Sequence, residues 1–285
     1  MRALIIAIAL LIFGPVPTLA AKEVNTITLS RGDTAYVDRG EGDAVILIHG
    51  LGADMSRWDA NIEGLSAGHR VIALDLYGFG ASGRLEHGYR AEVFVDQIEE
   101  FRQALGLGRV SLVGNSMGGW VAMLYAEQFP DHVDRLVLVA PAFYNGVPAE
   151  VTAERLAAGA APQTPEAMRA YLARVYANPP TGKYEVEKLH AEHIAKNAGD
   201  AIPSMARSIV AREDTFTPER AAALSAPTLI VHGATDGIIP ASASDALASL
   251  LEQGELYVYE SAGHWPQEEA PERFNKDVAL FLSRQ

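Results

Sequence analysis

Short apolar runs alternate with longer amphipathic stretches along most of this chain, and this alternation constrains the fold more than any other feature of the sequence. The run Ala44–His49 is apolar up to its last residue, as in strands that are buried on both faces. Comparable runs follow at Val71–Leu76, Val110–Val113, Leu136–Ala140, Thr228–Val231 and Glu255–Tyr259. Between or after them lie stretches typical of helices, at Arg57–Leu65, Ala91–Leu105, Met117–Gln128, Ala241–Leu251 and Pro266–Ser283. Strands that alternate with helices predict right-handed crossovers and a mostly parallel sheet with helices on both faces.

Two segments depart from this alternation. Thr26–Leu29 and Thr34–Asp38 flank a short turn and predict an antiparallel hairpin at the start of the sheet. Residues 142–224 are rich in alanine, are interrupted by prolines and contain no strand-like run. We therefore predict a helical cap over residues 142–224, inserted between two parts of one sheet domain, residues 22–141 and 225–285.

The first 21 residues have the pattern of a secretory signal peptide. Arg2 precedes the apolar run Ala3–Phe13, and small residues lie close to the end of the segment. A glycine and two prolines interrupt the segment, so its unbroken part is shorter than the roughly 20 residues that cross a bilayer. We expect cleavage after Ala20 or Ala21 and export to the periplasm or the extracellular space, with no stable membrane span afterwards. The alternative is a membrane anchor formed by an uncleaved N-terminus.

Composition narrows the choice of partner. The chain of 285 residues has no cysteine, which excludes disulfides, thiolate metal ligands and a cysteine nucleophile. Its formal net charge of −13 at pH 7 argues against nucleic acid and anionic membrane surfaces, because both require clustered Lys and Arg. The predicted cap is nearly neutral, with nine basic and ten acidic residues, so the acidity belongs to the sheet domain. We expect a small-molecule substrate and no metal ion.

The strongest local motif is the sequence GNSMG at residues 114–118, which fits the pattern G-x-S-x-G. The strand-like VSLV precedes it and the helical WVAMLYAEQF follows closely, which is the context that this pattern requires. Its glycines allow a sharp turn between strand and helix that exposes the serine hydroxyl. We predict that Ser116 is a catalytic nucleophile.

A serine nucleophile needs a base to remove its proton and an acid to orient that base. The strand-like run TLIVHG leads into Asp236, which places this residue at the carboxyl edge of the predicted sheet. The last strand-like run leads to His264. The chain order Ser116, Asp236, His264 is the order found in enzymes with a G-x-S-x-G turn. The alternative is that Asp236 only caps its turn and that His264 is structural.

Nucleophilic attack on a carbonyl places negative charge on the substrate oxygen, so N–H donors should face that atom. The backbone N–H of Met117, directly after the nucleophile, is one candidate. The second should come from the loop after the first buried strand, where we predict the N–H of Leu51. His49, at the end of that strand, is expected to be structural.

Two other patterns suggest functions that their surroundings disfavour. Residues 78–83 match G-x-G-x-x-G, but a dinucleotide-binding turn opens directly into a helix, and no helical pattern begins here. Glu187, His190 and His193 could suggest a metal site, but steps of three residues drift around a helix and no fourth ligand is evident. We therefore expect neither a nucleotide nor a metal ion.

Together the motifs resemble the α/β-hydrolase superfamily over nearly the whole chain after residue 21. The matching segments are HGLG at 49–52, DLYGFGAS at 75–82, GNSMGG at 114–119, Asp236, and GHW at 263–265. The resemblance implies an α/β fold with a mostly parallel eight-stranded sheet, helices on both faces and a helical cap inserted after strand 6. It also implies acyl-enzyme chemistry without a cofactor. Haloalkane dehalogenases and epoxide hydrolases look similar but use aspartate where this chain has Ser116.

The GNSMGG segment is similar to two groups within the superfamily. One group comprises capped bacterial carboxylesterases and lipases, some of them exported. The other comprises the meta-cleavage-product hydrolases, which cut carbon–carbon bonds in dienoic acids from aromatic ring degradation. Trp265 after the histidine favours the second group. Three points count against the second group. Their HGGGPGA-type oxyanion loop is replaced here by HGLGADMSRW, and the cap arginine that binds their substrate carboxylate has no assigned counterpart in this chain. Their substrates also arise in the cytoplasm, whereas a signal peptide predicts export.

On balance we expect an exported serine carboxylesterase or lipase that acts on a small apolar ester or acyl substrate. Phe143, Tyr144 and Trp265 are candidates for the lining of its pocket. The alternatives are carbon–carbon hydrolysis of the meta-cleavage-product type, a lactonase, haloperoxidase-like or acyltransferase activity, and a binding module without catalysis. All three triad positions are filled, which disfavours the binding module.

Sequencing the first residues of the mature protein tests the predicted signal peptide. We expect the exported protein to begin at Ala21 or Lys22, because small residues precede both cleavage points. Recovery of a chain that still begins at Met1 would show that this segment is not removed.

Overall fold

Eight strands form one sheet in the computed structural model, which describes residues 23–143, 151–197 and 199–284. In chain order the strands are β1 (Asn25–Leu29), β2 (Gly32–Arg39), β3 (Ala44–Ile48), β4 (Arg70–Leu74), β5 (Val110–Asn115), β6 (Val133–Val139), β7 (Thr228–Gly233) and β8 (Gly254–Tyr259). Across the sheet their order is β1-β2-β4-β3-β5-β6-β7-β8. All neighbouring pairs are parallel except β1–β2 and β2–β4. The predicted α/β fold with a mostly parallel eight-stranded sheet is confirmed.

Helices cover the sheet and fill the interval between β6 and β7. In chain order they are α1 (Asp59–Ser66), α2 (Ala91–Ala104), α3 (Met117–Gln128), α4 (Ala153–Ala160), α5 (Pro165–Val175), α6 (Lys183–Lys196), α7 (Ala201–Val210), α8 (Pro218–Ala222), α9 (Ala241–Leu250), α10 (Pro266–Glu269) and α11 (Pro271–Leu282). Helices α4 to α8 all lie between β6 and β7, so the cap follows strand 6 as expected. Its limits at residues 142 and 224 stay a prediction, and so does the signal peptide, because residues 1–21 lie outside the described residues.

The two faces of the sheet bury separate cores because successive strand side chains point to opposite sides. Ile46 and Ile48 of β3 pack into a core that contains residues of α2, α3 and α9, together with residues of the cap helix α7. Val45 and Leu47 of the same strand pack into the opposite core, which contains residues of α1 and α11. All five residues of β3 are buried, which explains the apolar run read from the sequence.

The predicted helix over Pro266–Ser283 is wrong in one respect, since it is divided into α10 and α11. Pro271 begins the second helix. Proline lacks a backbone N–H and its ring clashes with the preceding turn, so it is tolerated at a helix start but interrupts a helix interior.

Among the described residues, no helix is both long enough and apolar enough to cross a membrane.

Close packing at the start of α3 leads to a stability prediction. A Cβ atom on Gly118 would lie 2.3 Å from the backbone O of Ile48 and 2.7 Å from that of His49, and backbone atoms have little room to relax. We expect Gly118→Ala to lower the free energy of unfolding by about 1–3 kcal/mol, the usual cost of overpacking. Urea denaturation measures this loss.

Gly108→Ala is the matched control, because a Cβ atom at Gly108 meets no atom within 4 Å. We expect this variant to unfold at the same urea concentration as the wild type. Equal stability of Gly118→Ala and Gly108→Ala would contradict the tight approach of α3 to β3.

Candidate active site

Ser116 occupies a strained turn between β5 and α3. Its φ of 56° and ψ of −116° lie in a region that residues other than glycine rarely adopt. The backbone N–H of Ser116 donates to Val139 O at 2.9 Å, and its carbonyl accepts from Ala142 N at 3.0 Å. The end of β6 and the residues after it therefore hold the turn, and the Ser116 side chain lies at a partly exposed position.

The loop after β3 passes directly beside Ser116. A Cβ atom on Gly50 would lie 3.2 Å from Ser116 Cβ, so the absence of a side chain at residue 50 permits this approach. Leu51 is the next residue of the loop, and Met117 begins α3, where first-turn N–H groups have no partner within the helix. The structure thus brings both predicted oxyanion donors to the neighbourhood of Ser116; their role stays a prediction.

His49 fixes the start of this loop. Leu76 N donates to His49 Nε2 at 3.0 Å, so the other ring nitrogen carries the proton. His49 Nδ1–H then donates to Gly50 O at 2.8 Å. The ring is completely buried, which agrees with the structural role expected for His49.

Asp236 and His264 form a short hydrogen bond. His264 Nδ1 lies 2.6 Å from Asp236 Oδ2, and the Asp236 side chain is fully buried. Asn115 Nδ2, one residue before the serine, donates to His264 O at 3.2 Å, which ties the histidine to the serine turn. Within the described residues no hydrogen bond joins Ser116 Oγ to the His264 ring, a contact that often closes only when substrate binds.

The Asp236 carboxylate is held in its ionised form. Burial alone would raise its pKa, but the charge of His264, hydrogen bonds from two histidine rings and the backbone N–H of Ile239 outweigh burial and hold the pKa well below its usual value. Oδ1 accepts from Ile238 N at 2.7 Å and from Ile239 N at 3.0 Å. The arrangement can orient His264 and stabilise it when protonated.

The cap contacts both loops that carry these residues. Gly237 N donates to Arg174 O at 2.9 Å, and His264 N donates to Val175 O at 2.7 Å. Arg174 and Val175 are the last two residues of α5. The position of the cap is thereby coupled through backbone hydrogen bonds to the positions of Asp236 and His264.

A small, partly open pocket lies between the cap and the loop after β3. Arg57, His193 and Lys196 are among its lining residues. The Arg57 guanidinium stacks 4.0 Å over the ring of Trp265, the residue that follows His264. Burial would lower the pKa of Arg57, but the carboxylate of Glu268 outweighs it and raises that pKa.

Two of the predicted lining residues are buried in packing contacts. Phe143 is 7% exposed and packs edge-on against Phe216. Trp265 is 2% exposed and packs against Tyr171 and Tyr176. Tyr144 lies outside the described residues. The lining role of all three stays a prediction.

The two patterns disfavoured by sequence have structural explanations. Within residues 78–83, Gly80 lies against the carboxylate of Asp75, which accepts from Met55 N and Ala81 N at 2.7 and 2.8 Å. A Cβ atom on Gly80 would lie 2.1 Å from that carboxylate. On α6, burial and the charge of Arg57 lower the pKa of His193 to about 4. Within the described ranges, no three His, Asp or Glu side chains are grouped so that they could hold a metal ion.

Sequence reasoning missed three side chains at this site: Asn115, His232 and Arg57. In the sequence, Asn115 appears only as the variable position of G-x-S-x-G. In the structure, its amide also donates to Val139 O at 3.0 Å. His232 lies at the end of β7, and its Nε2 is 3.2 Å from Asp236 Oδ2. His232 lies close to the carboxyl edge of the sheet, four residues before Asp236, and this position could have been used to predict it from the sequence. The contact of Arg57 with Trp265 spans most of the chain and has no local signature.

Comparison with known proteins agrees with this architecture. Residues 43–271 match the model of the alpha/beta hydrolase fold family. The chain is 32% identical over 275 residues to 2-hydroxy-6-oxo-2,4-heptadienoate hydrolase of Pseudomonas putida, covering 92% of this chain and 97% of that protein. It is 33% identical over 256 residues to 2-hydroxymuconate semialdehyde hydrolase of a Pseudomonas species, covering 86% and 89%. A meta-cleavage product hydrolase from Pseudomonas fluorescens superposes with a TM-score of 0.79 at 31% identity, covering 90% and 97%.

These relatives correct the expected function. The expectation of an ester hydrolase is wrong, because the relatives are named as meta-cleavage product or dienoate hydrolases. The small apolar ester substrate is not confirmed. Carbon–carbon hydrolysis of the meta-cleavage-product type, which was the alternative, agrees better with these relatives. The serine turn and the chain order of Ser116, Asp236 and His264 predict a nucleophile and its base, but neither pattern determines whether the leaving atom is oxygen or carbon. Export itself stays a prediction.

Proposed function

Because the chain belongs to the alpha/beta hydrolase fold family, we propose that it is a carbon–carbon bond hydrolase of the meta-cleavage-product type. Its substrate is a dienoic acid that carries a ketone or aldehyde carbonyl. The similarity to dienoate hydrolases over nearly the full length of both chains carries this proposal. The geometry of Ser116, Asp236 and His264 supplies the chemistry.

The first half of the reaction forms an acyl-enzyme. His264 takes the Ser116 proton as the hydroxyl oxygen bonds to the carbonyl carbon of the substrate. The N–H groups of Leu51 and Met117 stabilise the negative charge on the carbonyl oxygen. The carbon–carbon bond then breaks in the keto tautomer of the substrate, in which the proton of the 2-hydroxyl group has moved to the carbon beside the ketone. The electron pair of the broken bond is delocalised into the conjugated 2-oxo acid as a dienolate, which takes the proton from His264.

The second half consumes water. His264 removes a proton from a water molecule as its oxygen attacks the acyl carbon on Ser116. Collapse of this intermediate returns the serine oxygen with a proton from His264 and releases a carboxylic acid. Asp236 remains ionised throughout and keeps the imidazole oriented. One water and one substrate give two products.

Two cations that line the pocket between the cap and the loop after β3 support an acidic substrate. The hydrogen bonds of Arg57 to Glu268 and Tyr176 all use Nη1, and a guanidinium has five N–H donors in total. Lys196 pairs with Asp54 at 2.8 Å and lines the same pocket. We assign Arg57, supplied by the core rather than by the cap, as the donor to the substrate carboxylate. A charge-assisted bond of this kind is worth about 1.5–3 kcal/mol.

Turnover of 2-hydroxy-6-oxo-2,4-heptadienoate tests the proposal. We expect the purified protein to consume this acid with a higher kcat/KM than p-nitrophenyl acetate and to release acetate. Ser116→Ala should lower kcat by a factor of about 10³ or more, since the nucleophile is lost. Loss of the dienoate absorbance measures the rate, and mass spectrometry identifies the products.

Ser111→Ala is the matched control, because Ser111 is buried on the same strand that leads to the nucleophile. It should retain wild-type kcat. Rapid ester turnover without consumption of the dienoate would overturn the proposed substrate. Dienoate cleavage that survives Ser116→Ala would overturn the proposed nucleophile.

A further inference from the structure

A second histidine contacts the carboxylate that orients His264. His232 Nε2 lies 3.2 Å from Asp236 Oδ2, the same oxygen that accepts from His264 Nδ1 at 2.6 Å. His232 and Asp236 side chains are both fully buried. The buried Asp236 carboxylate therefore contacts two imidazoles, and the proposed reaction uses only that of His264.

The surroundings of His232 determine which of its nitrogens carries the proton. Nε2 faces two acceptors, Ile239 O at 3.0 Å and the Asp236 carboxylate at 3.2 Å. A lone pair on Nε2 would be repelled by both oxygens, so this nitrogen must donate. Nδ1 lies 2.7 Å from Ser244 Oγ, whose hydroxyl can donate to it. In the Nε2–H form the ring donates to Ile239 O, presents the same N–H to the Asp236 carboxylate 3.2 Å away, and accepts from Ser244 at Nδ1.

The ring has little freedom to leave this position. His232 is the fifth residue of β7 and Ser244 lies on α9, and their exposed fractions are 0% and 1%. The hydrogen bond between them therefore links a strand to the helix that covers it. Asp236 lies between these two elements in sequence, so the ring, its hydroxyl partner and the carboxylate form one buried cluster.

We propose that His232 is a positioning residue, whose Nε2–H holds Asp236 Oδ2 in place for His264 while the Ser244 hydroxyl sets its tautomer. The inference rests on the role proposed for Asp236 and His264 in activating Ser116. Two backbone N–H groups hold Oδ1, and His232 supplies the corresponding restraint on Oδ2. Without this donor, the carboxylate can rotate away from the geometry that orients His264.

The inactivation rate of Ser116 by a fluorophosphonate tests this role independently of the natural substrate. The reagent reports activation of the serine by His264. We expect His232→Leu to slow inactivation about tenfold, equivalent to about 1.4 kcal/mol. His232→Gln restores an N–H donor and should recover most of the rate. Ser244→Ala keeps the ring but removes the hydroxyl that sets its tautomer, so its rate should lie between these two.

Ile230→Ala is the matched control for lost packing, because Ile230 is fully buried on the same face of β7. It should lower Tm while leaving the inactivation rate within about twofold of wild type. The NMR resonance of the His264 Nδ1 proton adds a direct readout, since its downfield position depends on the short bond to Asp236. It should move in His232→Leu and stay in Ile230→Ala.

The outcomes separate this inference from the proposed function. Equal inactivation rates and unchanged proton resonances in His232→Leu and Ile230→Ala would overturn the role of His232, whatever the substrate is. If His232→Leu does not fold, a wild-type rate in Ser244→Ala together with an unmoved proton resonance would overturn it as well. A wild-type protein that reacts with the fluorophosphonate but consumes no dienoate would overturn only the proposed substrate.

Discussion

The turn that carries Ser116 depends on backbone segments that approach each other without side chains between them. A Cβ atom on Gly114 would lie 2.3 Å from Gly118 O, and one on Gly119 would lie 2.9 Å from Pro141 Cβ. Together with Gly118, which lies against Ile48, these glycines let the ends of β3, β5 and β6 meet the start of α3. The strained φ of Ser116, a conformation that costs about 1–3 kcal/mol, is offset by the contacts made there.

The same sheet edge brings the remaining site residues together. Asp236 follows β7 and His264 follows β8, and parallel strands place both of these loops at the carboxyl edge with the serine turn. Each loop then gains a contact that the sheet alone does not provide. The end of α5 accepts backbone hydrogen bonds from Gly237 and His264, so the cap helps to set the geometry of the site that it covers.

Much of the fold was predictable because its buried strands appear as apolar runs and because the glycines of the serine turn lie close together in the sequence. The helix predicted over Met117–Gln128 has those bounds in the structure, since a sharp turn precedes it and Pro130 follows soon after. The break at Pro271 could have been read from the proline itself. The chain order of Ser116, Asp236 and His264 was readable for the same reason, because each follows a recognisable strand.

What the sequence could not predict depends on contacts between distant residues or on the leaving group. Arg57 reaches Trp265 only through the folded chain, and the hydrogen bond of His232 to Ser244 joins a strand to a helix. The choice between ester and carbon–carbon cleavage was wrong for a chemical reason. The motifs predict how a carbonyl is attacked, and none of them determines which fragment leaves.

The mass of the Ser116 peptide after rapid quenching with 2-hydroxy-6-oxo-2,4-heptadienoate tests the central claim most directly. Attack of the serine on the ketone carbon and cleavage of the carbon–carbon bond predict a peptide that carries an acetyl group. In the wild type, the peptide should lose the acetyl group as deacylation proceeds. In Ser116→Ala, the corresponding peptide should stay unmodified at every quench time. Consumption of the dienoate with no acetyl group on Ser116 at any quench time would contradict covalent catalysis by this serine.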